Sequence, residues 1–122
     1  MDWKHLLTSF NGRINRGKFW AAIGVVFVVS IAAQLIDAMT GIVVIPLAEG
    51  AGFGPLTVLT LLASVWVGLA VYAKRWHDRG KSGWWSLIML VPIIGGIWLI
   101  VECGILEGDK GPNAYGPDPL GR

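Results

Sequence analysis

The chain has 122 residues, of which 54% are hydrophobic and 15% are charged, and its formal net charge is +2. Soluble domains carry charge on about a quarter of their residues, and a domain of this size must cover much of its surface with polar groups. The composition therefore excludes an ordinary water-soluble domain and indicates a single domain in lipid. The single cysteine, Cys103, excludes an internal disulfide and a thiolate metal cluster.

The N-terminal segment, residues 1–18, predicts a short helix that lies in the membrane interface. Trp3, Leu6, Leu7 and Phe10 recur at helical spacing, which gives the helix one apolar side. The glycines of the following NGRINRG sequence end this helix.

Three apolar, uncharged runs follow, and each is long enough to cross a bilayer. They cover residues 19–36, 56–73 and 84–101, which is 18 residues each. A helix of that length extends about 27 Å, close to the thickness of the hydrocarbon layer. We therefore predict an all-α membrane protein, a single integral membrane domain over 1–122, with about three transmembrane helices, the interfacial N-terminal helix and an irregular C-terminal tail, residues 102–122.

The third run also contains residues that disfavour a straight helix. Pro92 and the pair Gly95–Gly96 bend or weaken a helix near its middle. In lipid such a break requires neighbouring groups or water to satisfy the freed backbone carbonyls. A re-entrant hairpin is therefore the alternative to a third span, and it would return the tail to the side on which the run begins.

The distribution of basic residues predicts the orientation of the chain. Eight of the ten Lys and Arg residues lie in the N-terminal segment and in a basic loop, residues 74–83. The first connection, residues 37–55, has none, and its short apolar piece either extends the first helix after a kink or lies at the interface. Because short basic loops stay in the cytoplasm, the N-terminus and the 74–83 loop are predicted to be cytoplasmic. With three spans, the tail lies on the opposite side.

Three segments together carry a family resemblance. They are FNGRINRGKFW at residues 10–20, KRWHDRGKSGWW at 74–85 and GPNAYGPDP at 111–119. The chain resembles, over nearly its whole length, the domain of unknown function 805 family of small bacterial inner-membrane proteins, also called YhaH-like. The resemblance implies a multi-pass protein of the bacterial inner (plasma) membrane. It supplies no established reaction, substrate or cofactor.

The basic motifs are the candidate binding site. The planar fork of arginine suits phosphate oxygens, and the glycines beside Arg13 and Arg79 allow close backbone approach. We expect these two motifs to meet at headgroup level and to bind an anionic lipid or a partner protein. The candidate residues are Arg13, Arg16, Arg75, His77, Asp78, Arg79, Lys81, Trp84 and Trp85. The competing explanation is that these basic residues only set the orientation of the chain in the membrane.

Two other functions remain open, and both have weaker support. A subunit of a small transporter or channel needs charged or polar groups inside its spans, whereas these runs have no charge and few polar residues. A membrane-interface enzyme would use His77 and Asp78, but adjacent residues on a helix do not face each other. We predict a non-enzymatic protein with no catalytic residue, cofactor or metal. Its expected partners are membrane lipids and a second copy or another membrane protein, with no nucleic acid, because the basic clusters adjoin apolar runs.

Overall fold

The computed structural model describes residues 2–49 and 51–121, and most of them are helical. In chain order the elements are α1 (Trp3–Thr8), α2 (Arg16–Thr40), β1 (Ile45–Ala48), β2 (Ala51–Phe53), α3 (Pro55–Asp78), a 3-10 helix (Gly83–Leu90), α4 (Ile94–Leu99) and a π-helix (Ile100–Ile105). The chain divides into two compact units. We call Met1–Ala22 with Val67–Arg122 the motif unit, and Ile23–Trp66 the midchain unit.

Within the described part of the chain, α2 and α3 are the two helices long and apolar enough to cross a membrane. They have 25 and 24 residues, and only 17% of the most apolar stretch of each is buried inside the protein. Exposed apolar surface costs roughly 25 cal/mol per Å² in water, so these helices require hydrocarbon around them. The predicted runs 19–36 and 56–73 lie inside α2 and α3.

Helix α3 continues into the sequence that we expected to form a basic loop over 74–83. Its last turn includes residues 74–78, and only residues 79–82 connect it to the 3-10 helix. Lys74 and Arg75 are fully buried there. These cations can be buried because they have hydrogen-bond acceptors inside the protein. The sequence alone did not show those acceptors.

Residues 83–105 form a hairpin, which corrects the prediction of one continuous helix over 84–101. The 3-10 helix ends at Leu90, and the chain turns back into α4 and the π-helix. Pro92 has no backbone donor, and Ile93 has a φ of 66°, so neither residue continues a helix. The break in the helix lies at Pro92, one of the residues that the sequence analysis identified as disfavouring a straight helix.

The midchain unit contains an antiparallel β-hairpin that the sequence did not predict. Ile45 pairs with Phe53, and Pro46 pairs with Gly52. A Cβ atom at Gly52 would overlap the backbone of β1, so the strands approach closely only because this residue is glycine. These two short strands are the exception to the all-α fold.

Asp37 joins α2 to the start of α3 in the same unit. Its two carboxylate oxygens accept the backbone N–H groups of Leu56 at 3.3 Å and Thr57 at 2.6 Å. The first N–H groups of a helix have no partner within the helix. Asp37 therefore caps α3 from a distant position in the chain, and Gly54 leaves room for it, because a Cβ atom there would overlap the carboxylate.

Candidate functional site

The three motif segments meet in the motif unit around the carboxylate of Asp78, near the end of α3. Arg13 approaches one oxygen, with its Nε at 3.0 Å and its Nη2 at 2.9 Å. Arg75 lies one turn before Asp78 on α3 and donates from Nη1 to the other oxygen. The exposed fraction of each of these three side chains is 4% or less. Two guanidinium groups thus share one buried carboxylate.

Arg13 also holds the C-terminal tail. Its remaining N–H groups donate to the backbone carbonyl oxygens of Asp109 at 2.6 Å, Gly111 at 2.7 Å and Gly116 at 3.2 Å. Four of the five N–H groups of this guanidinium therefore donate hydrogen bonds within the protein. The first motif and the tail motif are therefore joined through one side chain.

Arg75 joins α3 to the end of the π-helix. Its Nε donates to the carbonyl of Cys103 at 2.5 Å, and its Nη2 donates to that of Leu106 at 2.6 Å. Its Nη1 also reaches the carbonyl of Ile14 at 3.3 Å. The last carbonyls of a helix lack intrahelical partners, and a cation near them is favourable. Arg75 supplies both the donors and the positive charge.

Lys74 performs the same role for α1. Its ammonium group donates to the carbonyl oxygens of His5 at 2.5 Å, Leu6 at 2.6 Å and Ser9 at 2.6 Å. The three donors of an ammonium group thus meet three acceptors at the C-terminal end of this short helix. We call Arg13, Lys74, Arg75 and Asp78 the buried cluster, since each is at most 7% exposed.

A second, less buried group of charges lies around Glu102. Arg79 donates from Nε to one of its oxygens at 2.9 Å, and Lys81 donates from Nζ to the other at 2.8 Å. Burial acts to raise the pKa of Glu102, but the hydrogen bonds from Lys81 and Arg79 outweigh it and hold that pKa below its ordinary value. Arg79 also donates to the carbonyl of Glu107 at 2.6 Å.

His77 faces different partners from those of its neighbour Asp78. Its Nδ1 lies 2.9 Å from the carbonyl oxygen of Gly12, and its ring stacks on Tyr115 with the centroids 4.0 Å apart. The side chain of Asn113 donates to the His77 carbonyl at 2.9 Å. Through these contacts His77 joins the same three motifs. The contacts do not form a histidine–aspartate dyad.

The remaining candidate residues lie on the surface. Arg16 is exposed, and its Nη1 donates to the carbonyl of Ile105 at 2.8 Å. Trp84 is 77% exposed, and Trp85 is 46% exposed, on the 3-10 helix. The structure does not bring Arg13 and Arg79 to a common anion, because Arg13 binds Asp78 whereas Arg79 binds Glu102.

Sequence reasoning missed the internal acceptors of these charges. The predicted site does not include Lys74 or Glu102, and the sequence predicts only an irregular tail. Its glycines were a usable signal: Gly111 has a φ of 75°, and a Cβ atom at Gly108 would overlap the Asp78 carboxylate. In residues 2–49 and 51–121, no group of three His, Cys, Asp or Glu side chains is placed to hold a metal ion.

Two long apolar helices that are mostly unburied indicate an integral membrane protein. The family model described as "Protein of unknown function (DUF805)" matches residues 7–117. The chain belongs to this family, as its three motifs suggested.

Curated relatives from Escherichia coli K12 agree with that assignment. Inner membrane protein YhaH is 33% identical over 98% of this chain and 97% of its own length. Inner membrane protein YhaI is 38% identical over 91% of this chain and 86% of its own length. The uncharacterized protein YiiR is 31% identical over 97% of this chain and 90% of its own length. No solved structure matches the chain.

Proposed function

We propose that this protein is a non-catalytic inner-membrane protein that binds anionic lipid headgroups of the cytoplasmic leaflet through Arg16, while the buried cluster fixes its fold. The observation that carries this proposal is the contrast between exposed Arg16 and the buried arginines of the same motifs. Arg16 has one protein acceptor in the described part of the chain, the carbonyl of Ile105. Arg16 is exposed, and a guanidinium group suits phosphate oxygens.

The buried cluster is a poor phosphate site for a physical reason. Arg13 already donates four hydrogen bonds and pairs with Asp78, and all three donors of Lys74 already meet protein acceptors. A phosphate would have to displace these bonds and would itself lose its hydration. The cluster therefore supports a structural role, in which basic motif residues hold the N-terminal segment, α3 and the tail together.

The position of Arg16 favours a headgroup partner. It is the first residue of α2, and the uncharged run begins three residues later at Phe19. Trp20, one helical turn after Arg16, donates from its indole N–H to the carbonyl of Gly104 at 2.9 Å. Arginine and tryptophan are residue types that occupy the boundary between hydrocarbon and headgroups. Anionic lipid at this boundary contributes about 1 kcal/mol per basic residue.

The cytoplasmic orientation belongs to the same proposal. The N-terminal segment and the residues near the end of α3 contain eight of the ten basic residues, and 37–55 contains none. An excess of Lys and Arg in short loops sets the orientation of a membrane protein. The proposed partner is therefore an anionic lipid of the cytoplasmic leaflet.

Lipid that remains bound after purification tests the proposal. We expect Arg16→Gln to lower bound phosphatidylglycerol about fivefold at equal protein, which corresponds to about 1 kcal/mol. Lys110→Gln removes an exposed tail cation and serves as the matched control, with lipid content unchanged. Mass spectrometry of the intact protein in mild detergent measures both. Equal lipid content in Arg16→Gln and the original protein would overturn the proposal.

A further inference from the structure

We infer that residues 83–105 form a re-entrant hairpin, which enters a single leaflet and turns back near the bilayer midplane, so that the C-terminal tail and the N-terminal segment share one side of the membrane. The proposed cytoplasmic orientation then decides which side that is. The partner of the hairpin surface is lipid hydrocarbon.

The two ends of the hairpin are held at the same level. Lys81, just before the 3-10 helix, donates to Glu102 in the returning arm at 2.8 Å. Arg75 donates to the carbonyls of Cys103 and Leu106 at the end of that arm. Charged groups of this kind stay at or outside the hydrocarbon boundary. Both ends of the hairpin therefore lie at one face of the membrane.

The length of the arms matches half a bilayer. The 3-10 helix has eight residues and extends about 16 Å at about 2.0 Å per residue. The returning arm, Ile94–Ile105, extends about 18 Å at helical rise. The hydrocarbon layer is about 30 Å thick. Each arm is too short to cross this layer and long enough to reach its middle.

The turn of the hairpin is apolar and satisfies its own backbone groups. Leu90 is 79% exposed, and Ile93 is 81% exposed. Val91 donates to the carbonyl of Ile88 at 3.0 Å, and Gly95 donates to that of Val91 at 3.0 Å. A backbone that bonds to itself can enter hydrocarbon without water. Apolar surface of this size favours hydrocarbon over solvent.

A γ-turn closes the apex. The N–H of Ile94 donates to the carbonyl of Pro92 at 2.7 Å, and Ile93 between them has φ 66° and ψ −62°. This positive-φ form of the γ-turn is strained for a β-branched residue. It reverses the chain within three residues, and Pro92 has no N–H that would need a partner.

The tail cannot lie across the membrane from the basic motifs. The N–H of Asp109 donates to the carbonyl of Asp78 at 2.6 Å, and Arg13 donates to the carbonyl of Gly111 at 2.7 Å. These contacts join the tail to the N-terminal segment and to the end of α3 directly. A third full span would separate groups that are within hydrogen-bonding distance.

Single-cysteine labelling tests this inference in the full chain. Cys103 is replaced by alanine, and reporters are placed at the exposed positions Lys4, Glu49, Leu90 and Ala114. An impermeant maleimide is then applied to right-side-out and to inverted vesicles. We expect Lys4→Cys and Ala114→Cys to label from one side and Glu49→Cys from the other. Leu90→Cys should react from neither side.

Each result has a distinct meaning. Ala114→Cys labelling with Glu49→Cys would show a third full span and overturn the hairpin, and rapid labelling of Leu90→Cys would place its apex in water, which also overturns it. If Lys4→Cys and Ala114→Cys both label from the periplasmic side, the hairpin stands and the proposed orientation fails. Reporter proteins fused after residue 122 provide a second readout of the tail's side if the Cys103→Ala background does not fold.

Discussion

The motif unit and the midchain unit differ in which side chains they bury. The motif unit buries the charges of Arg13, Lys74, Arg75 and Asp78 and gives each of them protein partners. The midchain unit, as far as it is described, buries one charge, that of Asp37, and leaves most of its apolar side chains exposed. Polar bonds specify the buried part of the motif unit, whereas the midchain unit has no comparable buried network among its described residues.

This difference explains where the family motifs lie. The segments 10–20, 74–85 and 111–119 all fall within the motif unit. Lipid solvates many apolar sequences equally well, so exposed helix surfaces constrain residue identity weakly. A buried polar network has demanding geometry, because each unpaired donor or charge in a low-dielectric interior is costly. The motifs therefore contain the residues that this network requires.

The largest expected effect is at the centre of the network. Asp78→Asn leaves Arg13 and Arg75 buried without a full counter-charge, and we expect it to lower the free energy of unfolding by about 3 to 5 kcal/mol. Glu49→Gln removes an exposed carboxylate of the midchain unit. We expect it to change the free energy of unfolding by less than about 0.5 kcal/mol. Unfolding in mixed detergent micelles measures both. Similar small losses in the two variants would remove the contrast between the units.

An intermediate effect is expected in the hairpin of the motif unit. A Cβ atom at Gly95 would overlap the backbone carbonyl of Ile88, whereas the same atom at Gly96 meets open space. Gly95→Ala should therefore destabilise the protein by about 1 to 3 kcal/mol. Gly96→Ala is the matched control and should be neutral or stabilising by up to about 1 kcal/mol. The same micellar unfolding assay compares them, and equal effects would refute close packing of the two arms.

The smallest expected effect is in the midchain unit. Asp37→Ala removes the carboxylate that accepts the N–H groups of Leu56 and Thr57. Loss of a helix cap costs about 1 kcal/mol, which is well below the loss expected for Asp78→Asn. Asp37→Asn keeps one acceptor oxygen and should recover part of the loss. If Asp37→Ala lowered the free energy of unfolding as much as Asp78→Asn, both units would depend equally on buried charge.

The sequence allowed several features to be predicted, and each had a local signal. Uncharged runs at 19–36 and 56–73 predicted the cores of α2 and α3, because lipid solvation depends on composition rather than on specific contacts. Pro92 and Gly95–Gly96 indicated a break in the third run. The three motif segments together indicated the family.

The partners of the charges could not be predicted, because they are distant in the sequence. Arg13 and the carbonyl of Gly116 are 103 residues apart, and Lys74 and the carbonyl of His5 are 69 residues apart. A cation beside an apolar run has the same local pattern whether its acceptors are headgroups or buried carbonyls. The contacts of the tail with the N-terminal segment and with the end of α3 are of the same long-range kind, so no local pattern predicts them.

Coupling between Arg13 and Asp78 tests the central claim most directly. In a double-mutant cycle of Arg13→Gln and Asp78→Asn, the account predicts a coupling energy of about 1.5 to 3 kcal/mol in the free energy of unfolding. The control cycle pairs Arg16→Gln with Asp78→Asn, and its two effects should add within about 0.5 kcal/mol. Additive effects in the Arg13–Asp78 cycle would contradict the claim that the motifs bind one another through this buried ion pair.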